Sequence, residues 1–172
     1  MEEEIMGFQV IVPGETDNNF KIVARNKRAR FDYEIIETLE VGIVLTGSEI
    51  KSVRNGKVSI NEAFVGATEG SSELFLFNAS IELYKQASYN NHEPRRPRIL
   101  LLHKSQRTKF LNAIQKKGMT IVPLTMYFNH KGILKLSIAL ARGKNIVDKR
   151  ETIKKRDWTV QRNRIIRNYN KG

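Results

Sequence analysis

Ile133-Leu134-Lys135-Leu136-Ser137-Ile138-Ala139-Leu140-Ala141 decides the fold class. Leu134, Leu136, Ile138 and Leu140 point one way, and Lys135, Ser137, Ala139 and Ala141 the other. A strand with one buried face needs this period of two. Immediately before it, Asn129-His130-Lys131-Gly132 has turn composition, and residues 119–128 read as a partner strand. Pro123 marks a sheet edge or a bulge there, because proline has no N–H to give to a ladder.

The neighbouring segments fit the same sheet. Residues 105–118 predict a helix with Ser105 as N-cap, an apolar face of Phe110, Leu111 and Ile114, and Gly118 as the C′ glycine. Residues 88–97 are polar, carry His92, Pro94 and Pro97, and read as a long mobile loop. Strands are predicted near 63–68 and 74–80, joined by the turn Glu69-Gly70-Ser71-Ser72. Residues 31–45 are rich in β-branched and aromatic types, with Val41, Ile43 and Leu45 alternating with Gly42 and Val44. Thr46-Gly47-Ser48-Glu49 is a capping-box sequence and predicts a short helix to about Arg54, where Asn55-Gly56 stops it. Phe8-Gln9-Val10-Ile11-Val12 predicts a short strand before Pro13-Gly14.

The expected fold is therefore mainly β. Several antiparallel strands with two or three short helices suggest a small closed barrel, since closure removes the edges that invite aggregation. An open α+β sheet with helices on one face is the competing architecture.

Charge divides the chain of 172 residues and net charge +12 into three blocks. Residues 1–19 carry five acids and no base, and are expected to be a loosely ordered acidic extension. Residues 20–141 form the expected barrel and carry +9. Residues 142–172 hold eleven Lys and Arg against Asp148, Glu151 and Asp157, with Trp158, Ile165 and Ile166 as sparse apolar anchors. Such a tail cannot bury enough apolar surface to fold alone, but it can fold as a helix against a polyanion. Nucleic acid fits best, because each neutralised phosphate releases counterions. A generically basic protein and a membrane-surface helix are the weaker readings. There is no Cys, no apolar run near the length of a membrane span, and an N-terminus opening Glu2-Glu3-Glu4. A soluble cytoplasmic chain is the expectation.

Enzyme signals are thin. Ser48-Glu49-Ile50-Lys51 matches an S-x-x-K pattern without its companion motifs, and the capping box already accounts for Ser48 and Glu49. His92, His103 and His130 lack metal-ligand spacing, so neither metal nor cofactor is expected. Binding features are denser. Asn26-Lys27-Arg28-Ala29-Arg30-Phe31-Asp32-Tyr33 sets three cations beside two aromatics, suited to phosphates and unpaired bases. A solvated basic turn whose aromatics enter the core would look the same. Arg95-Arg96-Pro97-Arg98 repeats the theme, and Lys116, Lys117 and Lys131 extend it. Lys135 projects from the polar face of a regular strand, so its position is fixed.

The run Ala24 through Tyr33 opens a family resemblance. Leu39-Glu40-Val41-Gly42-Ile43-Val44-Leu45-Thr46-Gly47-Ser48-Glu49-Ile50-Lys51-Ser52-Val53-Arg54 continues it, and Asp148-Lys149-Arg150 with Lys154, Arg156 and Trp158 closes it. In that order, over roughly residues 21–168, the chain resembles the SmpB family of SsrA-binding proteins. The resemblance implies an OB-fold-like barrel with flanking helices and no enzymatic activity. It implies a protein that binds the tRNA-like domain of transfer-messenger RNA and delivers it to the A site of stalled ribosomes for trans-translation. The implied partners are transfer-messenger RNA, 16S rRNA and the ribosomal A site, with elongation factor Tu in the delivery complex. A generic ribosome-associated or rRNA-binding assembly protein is the alternative.

Position by position, the resemblance assigns transfer-messenger-RNA contacts to Asn26, Lys27, Arg28, Arg30, Glu40, Leu101 and Lys135. It assigns the decoding centre and mRNA channel to Gly143, Lys144, Asp148, Lys149, Arg150, Lys154, Arg156, Trp158, Ile165 and Ile166, with the tail becoming helical there. Glu40 would repel phosphate, so it should read a base or sugar edge or orient a neighbouring Arg. Phe31 and Val147 stand where some relatives have His, and the acidic residues 1–19 have no counterpart.

Overall fold

The computed structural model describes residues 20–68, 70–87, 91–145, 153 and 157–159. Along them run β1 (Lys21–Arg25), α1 (Ala29–Asp32), β2 (Tyr33–Ile43), α2 (Gly47–Arg54), β3 (Val58–Ser59) and β4 (Phe64–Ala67). Then come β5 (Leu74–Phe77), β6 (Ser80–Ile81), β7 (Arg98–Leu101), α3 (Lys104–Ile114), β8 (Met119–Phe128) and β9 (Leu134–Gly143). Six strands form a closed antiparallel ring in the order β8-β4-β5-β7-β2-β9, which the β8–β9 pairing completes. The expected barrel is therefore the architecture. β3 and β6 make a separate two-stranded ladder.

The β8–β9 hairpin is the spine. Its turn is tied by Asn129, whose Oδ1 accepts from the N–H groups of Lys131 and Ile133, while Gly132 takes the φ of +72° that the reversal needs. Leu134, Leu136, Ile138 and Leu140 face the main core, as their spacing predicts. The opposite face is less polar in its setting than its sequence suggests. Ser137, Ala139 and Ala141 are buried too. For the two alanines the reason is α1, whose Ala29 packs with Val122, Leu124, Ala139 and Ala141 in a second small core. Alanines on both sides let the helix backbone approach the barrel wall.

Two bulges switch strands between these cores. In β8 the register shifts between Pro123 and Thr125, so Ile121 and Met126 both face inward although five positions apart. Between them Val122 and Leu124 turn outward to α1. The flank of β8 away from β9 pairs with β4 at Ile121 and with β1 from Thr125 onward. Pro123, with no N–H to give, falls in the gap between these partners. β2 shifts register between Ile35 and Glu37, which likewise turns Ile35 to the second core while Leu39 and Val41 serve the first.

The predicted helix starting at Thr46 forms, and the N–H of Thr46 donates to Glu49 Oε2 at 2.7 Å. Four expectations shift. The strand expected near 74–80 breaks at Asn78, whose φ is +56°, into β5 and β6, which lie in different sheets. α1 occupies Ala29–Asp32, so the adjoining strand starts at Tyr33 rather than 31. The N-cap of α3 is His103, with the Gln106 side chain returning to its N–H, and not Ser105. Gly118 lies beyond the Gln115 C-cap, where its φ of +81° serves the turn into β8. Strands β1 and β7 were not evident from sequence.

Among the described residues no helix is long and apolar enough to cross a membrane. Ile153, Asp157, Trp158 and Thr159 have helical backbone, and the Trp158 side chain is exposed. Asp148, Lys149, Arg150, Lys154, Arg156, Ile165 and Ile166 lie outside the described residues, as do the acidic residues 1–19 with the strand expected at 8–12.

Candidate nucleic-acid interface

Strand register assembles the first site. Tyr127 of β8 lies opposite Lys135 of β9, Lys135 opposite Gly42 of β2, and Gly42 opposite Leu101 of β7. This is one straight row across four strands on the outer wall. Glu40 sits two residues from Gly42 on the same face. Its carboxylate accepts a short hydrogen bond from the Tyr127 hydroxyl and faces Lys135 Nζ at 3.4 Å. The three residues assigned by resemblance along the wall, Glu40, Leu101 and Lys135, thus line one cavity of about 370 Å³ with Gly42, Leu102, His103 and Gln106.

Each part has a physical reason. A Cβ on Gly42 would lie 3.2 Å from the Leu101 Cβ, so glycine lets β7 close in and stand Leu101, 57% exposed, at the cavity rim. Tyr127 is buried, its ring meeting Phe20 edge-on at 5.4 Å. Burial, and then the hydrogen bond and charge of Glu40, raise its pKa, so it stays a phenol donor. Glu40 faces a cation, but that cation is Lys135 and not the neighbouring Arg that was expected. The cavity offers an ammonium, a carboxylate acceptor with a fixed orientation, and an apolar rim. Tyr127, His103 and Gln106 were missed from sequence. Tyr127 had a signal, since a hairpin turning at residues 129–133 sets it against Lys135.

The other assigned residues gather elsewhere. Asn26 Oδ1 accepts from the N–H groups of Arg28 and Ala29, so this side chain starts α1. Lys27, Arg28 and Arg30 are exposed around that helix. Arg28 lies 3.6 Å from Asp32. Gly143 pairs with Tyr33 at the end of β9, and Lys144 donates from Nζ to the Arg30 carbonyl at 3.1 Å and from N–H to the Asp32 carbonyl. The root of the tail is therefore fastened to the basic motif. Tyr33 and Glu40, Gly143 and Lys135 mark opposite ends of the β2–β9 ribbon, about 25 Å apart at strand rise.

The Arg95–Arg98 cluster is not a mobile cationic patch. Arg98 is fully buried and donates to Glu49 Oε1 at 2.9 Å and to the carbonyls of Ala79 and Pro94. Arg96 grips both Glu49 oxygens, at 2.8 and 2.6 Å. His92 is buried, bonding Ser48 Oγ and the Ile81 carbonyl. Residues 91–98 are thereby pinned to α2 and β6, and the charges of Arg96 and Arg98 serve the fold, while Arg95 is exposed and lies 3.9 Å from Glu62.

A family model described as SmpB protein matches residues 23–168. The chain belongs to the SmpB family. An SsrA-binding protein of Afipia carboxidovorans is 54% identical over 147 residues, covering 86% of this chain and 92% of the relative. That of Nitrobacter hamburgensis is 50% identical over 153 residues, covering 89% and 96%. A solved chain described as "tmRNA-SmpB: a journey to the center of the bacterial ribosome" is 48% identical. Its TM-score is 0.59, covering 71% of this chain and 84% of that one. The SmpB match starts after the acidic residues 1–19, which agrees with their having no counterpart in the family pattern.

Proposed function

We propose that this chain binds the tRNA-like domain of transfer-messenger RNA and brings it to the A site of stalled ribosomes for trans-translation. One observation supports this most: Glu40, Lys135 and Leu101, far apart in sequence, converge on one cavity in an SmpB-family barrel. A folded RNA elbow offers what this cavity can recognise. Lys135 meets a phosphate, Glu40 accepts from a base amino group or a 2′-hydroxyl, and Leu101 packs on a base or sugar. Asn26, Lys27, Arg28 and Arg30 extend the contact with transfer-messenger RNA, while Gly143 and Lys144, fastened beside them, face 16S rRNA near the decoding centre. The tail of residues 142–172 continues from there into the vacant mRNA channel as a helix, through Asp148, Lys149, Arg150, Lys154, Arg156, Trp158, Ile165 and Ile166. Elongation factor Tu joins the delivery complex. Residues 20–141 are the RNA-binding unit, and the purified chain turns over no RNA.

Lys135→Ala and Glu40→Ala are expected to weaken binding of a tRNA-like-domain transcript by about ten-fold or more, the worth of a charge-assisted hydrogen bond. Lys135→Ala should also lower the salt slope by about one. Tyr127→Phe should act in the same direction although Tyr127 is buried, because it frees the Glu40 carboxylate to turn. Filter binding over a salt series checks all three, and unchanged affinities would remove the cavity from the interface.

A further inference from the structure

We propose that the outer face of β4, β5 and β7 is a second RNA subsite, a stacking surface for unpaired bases. It rests on the reading that the neighbouring cavity takes the tRNA-like domain. On these strands Val65, Leu74, Leu76 and Leu100 point to the core. Solvent-facing positions of such a barrel are ordinarily polar. Here they are Phe64, Gly66, Phe75, Phe77, Ile99 and Leu101. Register joins them into a diagonal stripe, with Phe64 opposite Phe77, Gly66 opposite Phe75, and Phe75 opposite Ile99. Phe64 is 44% exposed and Ile99 38%. Isolated apolar side chains on a surface are ordinary, but a contiguous stripe marks an interaction site.

The aromatic geometry selects the ligand. Phe64 and Phe77 are stacked, with ring centroids 5.2 Å apart and planes 21° from parallel. A Cβ on Gly66 would lie 3.5 Å from the Phe77 ring and 3.8 Å from that of Phe64, so both rings lie over this glycine. A flat base can continue the stack on the open side of Phe64.

The ends of the stripe supply the charge. Leu101 belongs to the cavity of Glu40 and Lys135. Phe64 lines a second cavity of about 470 Å³ with Asn26, Arg28, Tyr33 and the carboxylates Asp32 and Glu62. From Phe64 to Leu101 the stripe crosses two strand spacings and about four residues, on the order of 16 Å. A cation at each end, Arg28 beside Asp32 and Lys135 beside Glu40, with rings between them matches a short single-stranded run, whose phosphates flank its base faces.

The test uses the full chain and a transcript of the tRNA-like domain at equilibrium. Phe64→Ala is expected to weaken binding by about 5- to 150-fold, the range for loss of one base stack. Phe64→Leu keeps apolar bulk without a π face and should fall with it, while Phe64→Tyr should bind as the parent does. Irradiation of the complex should crosslink RNA to the peptide holding Phe64. Full affinity in Phe64→Leu overturns the proposal. So does loss of ribosome association with RNA affinity unchanged, which would assign the stripe to another partner. If Lys135→Ala weakens binding and Phe64→Ala does not, the stripe is refuted while the cavity reading stands. If neither weakens it, the cavity reading fails as well.

Discussion

Glu49→Ala should destabilise the barrel by about 3–5 kcal/mol, the usual result of removing one partner from a buried ion pair. A shift of that size lowers the melting temperature by on the order of 10 °C in a chain this long. Glu49 and Arg98 are both fully buried, and Arg96 and the Thr46 N–H complete the shell around the carboxylate. Truncation leaves the Arg98 guanidinium facing a void. It also unties residues 91–98 from α2, and with them β7, which carries Leu101 to the cavity. Replacing Glu49 and Arg98 together with apolar residues of similar volume should recover part of the loss, because no uncompensated charge then remains.

The same residue sets an acid limit. Burial pushes the Glu49 carboxyl up, but hydrogen bonds from Arg96 and Thr46, with the charges of Arg98 and Arg96, outweigh it and hold the pKa below the ordinary 4.5. A carboxylate depressed in the folded state contributes stability above its unfolded pKa, and that contribution is lost as pH falls through the folded value. Urea midpoints should therefore decline below about pH 4.5, and Glu49→Gln should flatten that decline.

Deleting everything after Arg150 should abolish tagging on stalled ribosomes while leaving affinity for the tRNA-like domain nearly unchanged. The deletion removes seven Lys and Arg together with Trp158, Ile165 and Ile166. It touches neither the cavity nor the stripe. Ribosome association should lose salt dependence by about one unit of slope for each phosphate contact removed. A truncated chain that tags at the normal rate would contradict the channel role of the tail.

The barrel was legible where a strand buries one face and a recognised turn precedes or follows it. Leu134 to Leu140 and the 64–77 hairpin are such cases. β7 was hidden because its inward row begins with Arg98, and no periodicity reveals that a charge will be buried against a glutamate forty-nine residues away. α1 was hidden because a four-residue helix leaves no repeat, only Ala29 and an Asn26 whose side chain accepts from the Arg28 and Ala29 N–H groups. Among site residues, Lys135 stood out by its fixed place on a strand. Its union with Glu40 and Leu101 depends on register between strands that the chain links through long excursions. The outward-facing phenylalanines of β4 and β5, of which Phe64 is exposed and Phe75 and Phe77 half-buried, resembled core residues, since a hydrophobicity pattern cannot tell an aromatic outer face from an inner one.

The most direct test is competition: the labelled tRNA-like domain of transfer-messenger RNA bound to the full chain, challenged with excess tRNA and rRNA fragments, for the parent and Lys135→Ala. Retention of the label by the parent, and its loss from Lys135→Ala, is the predicted result. Equal displacement by every competitor, with the variant indistinguishable from the parent, would contradict the account.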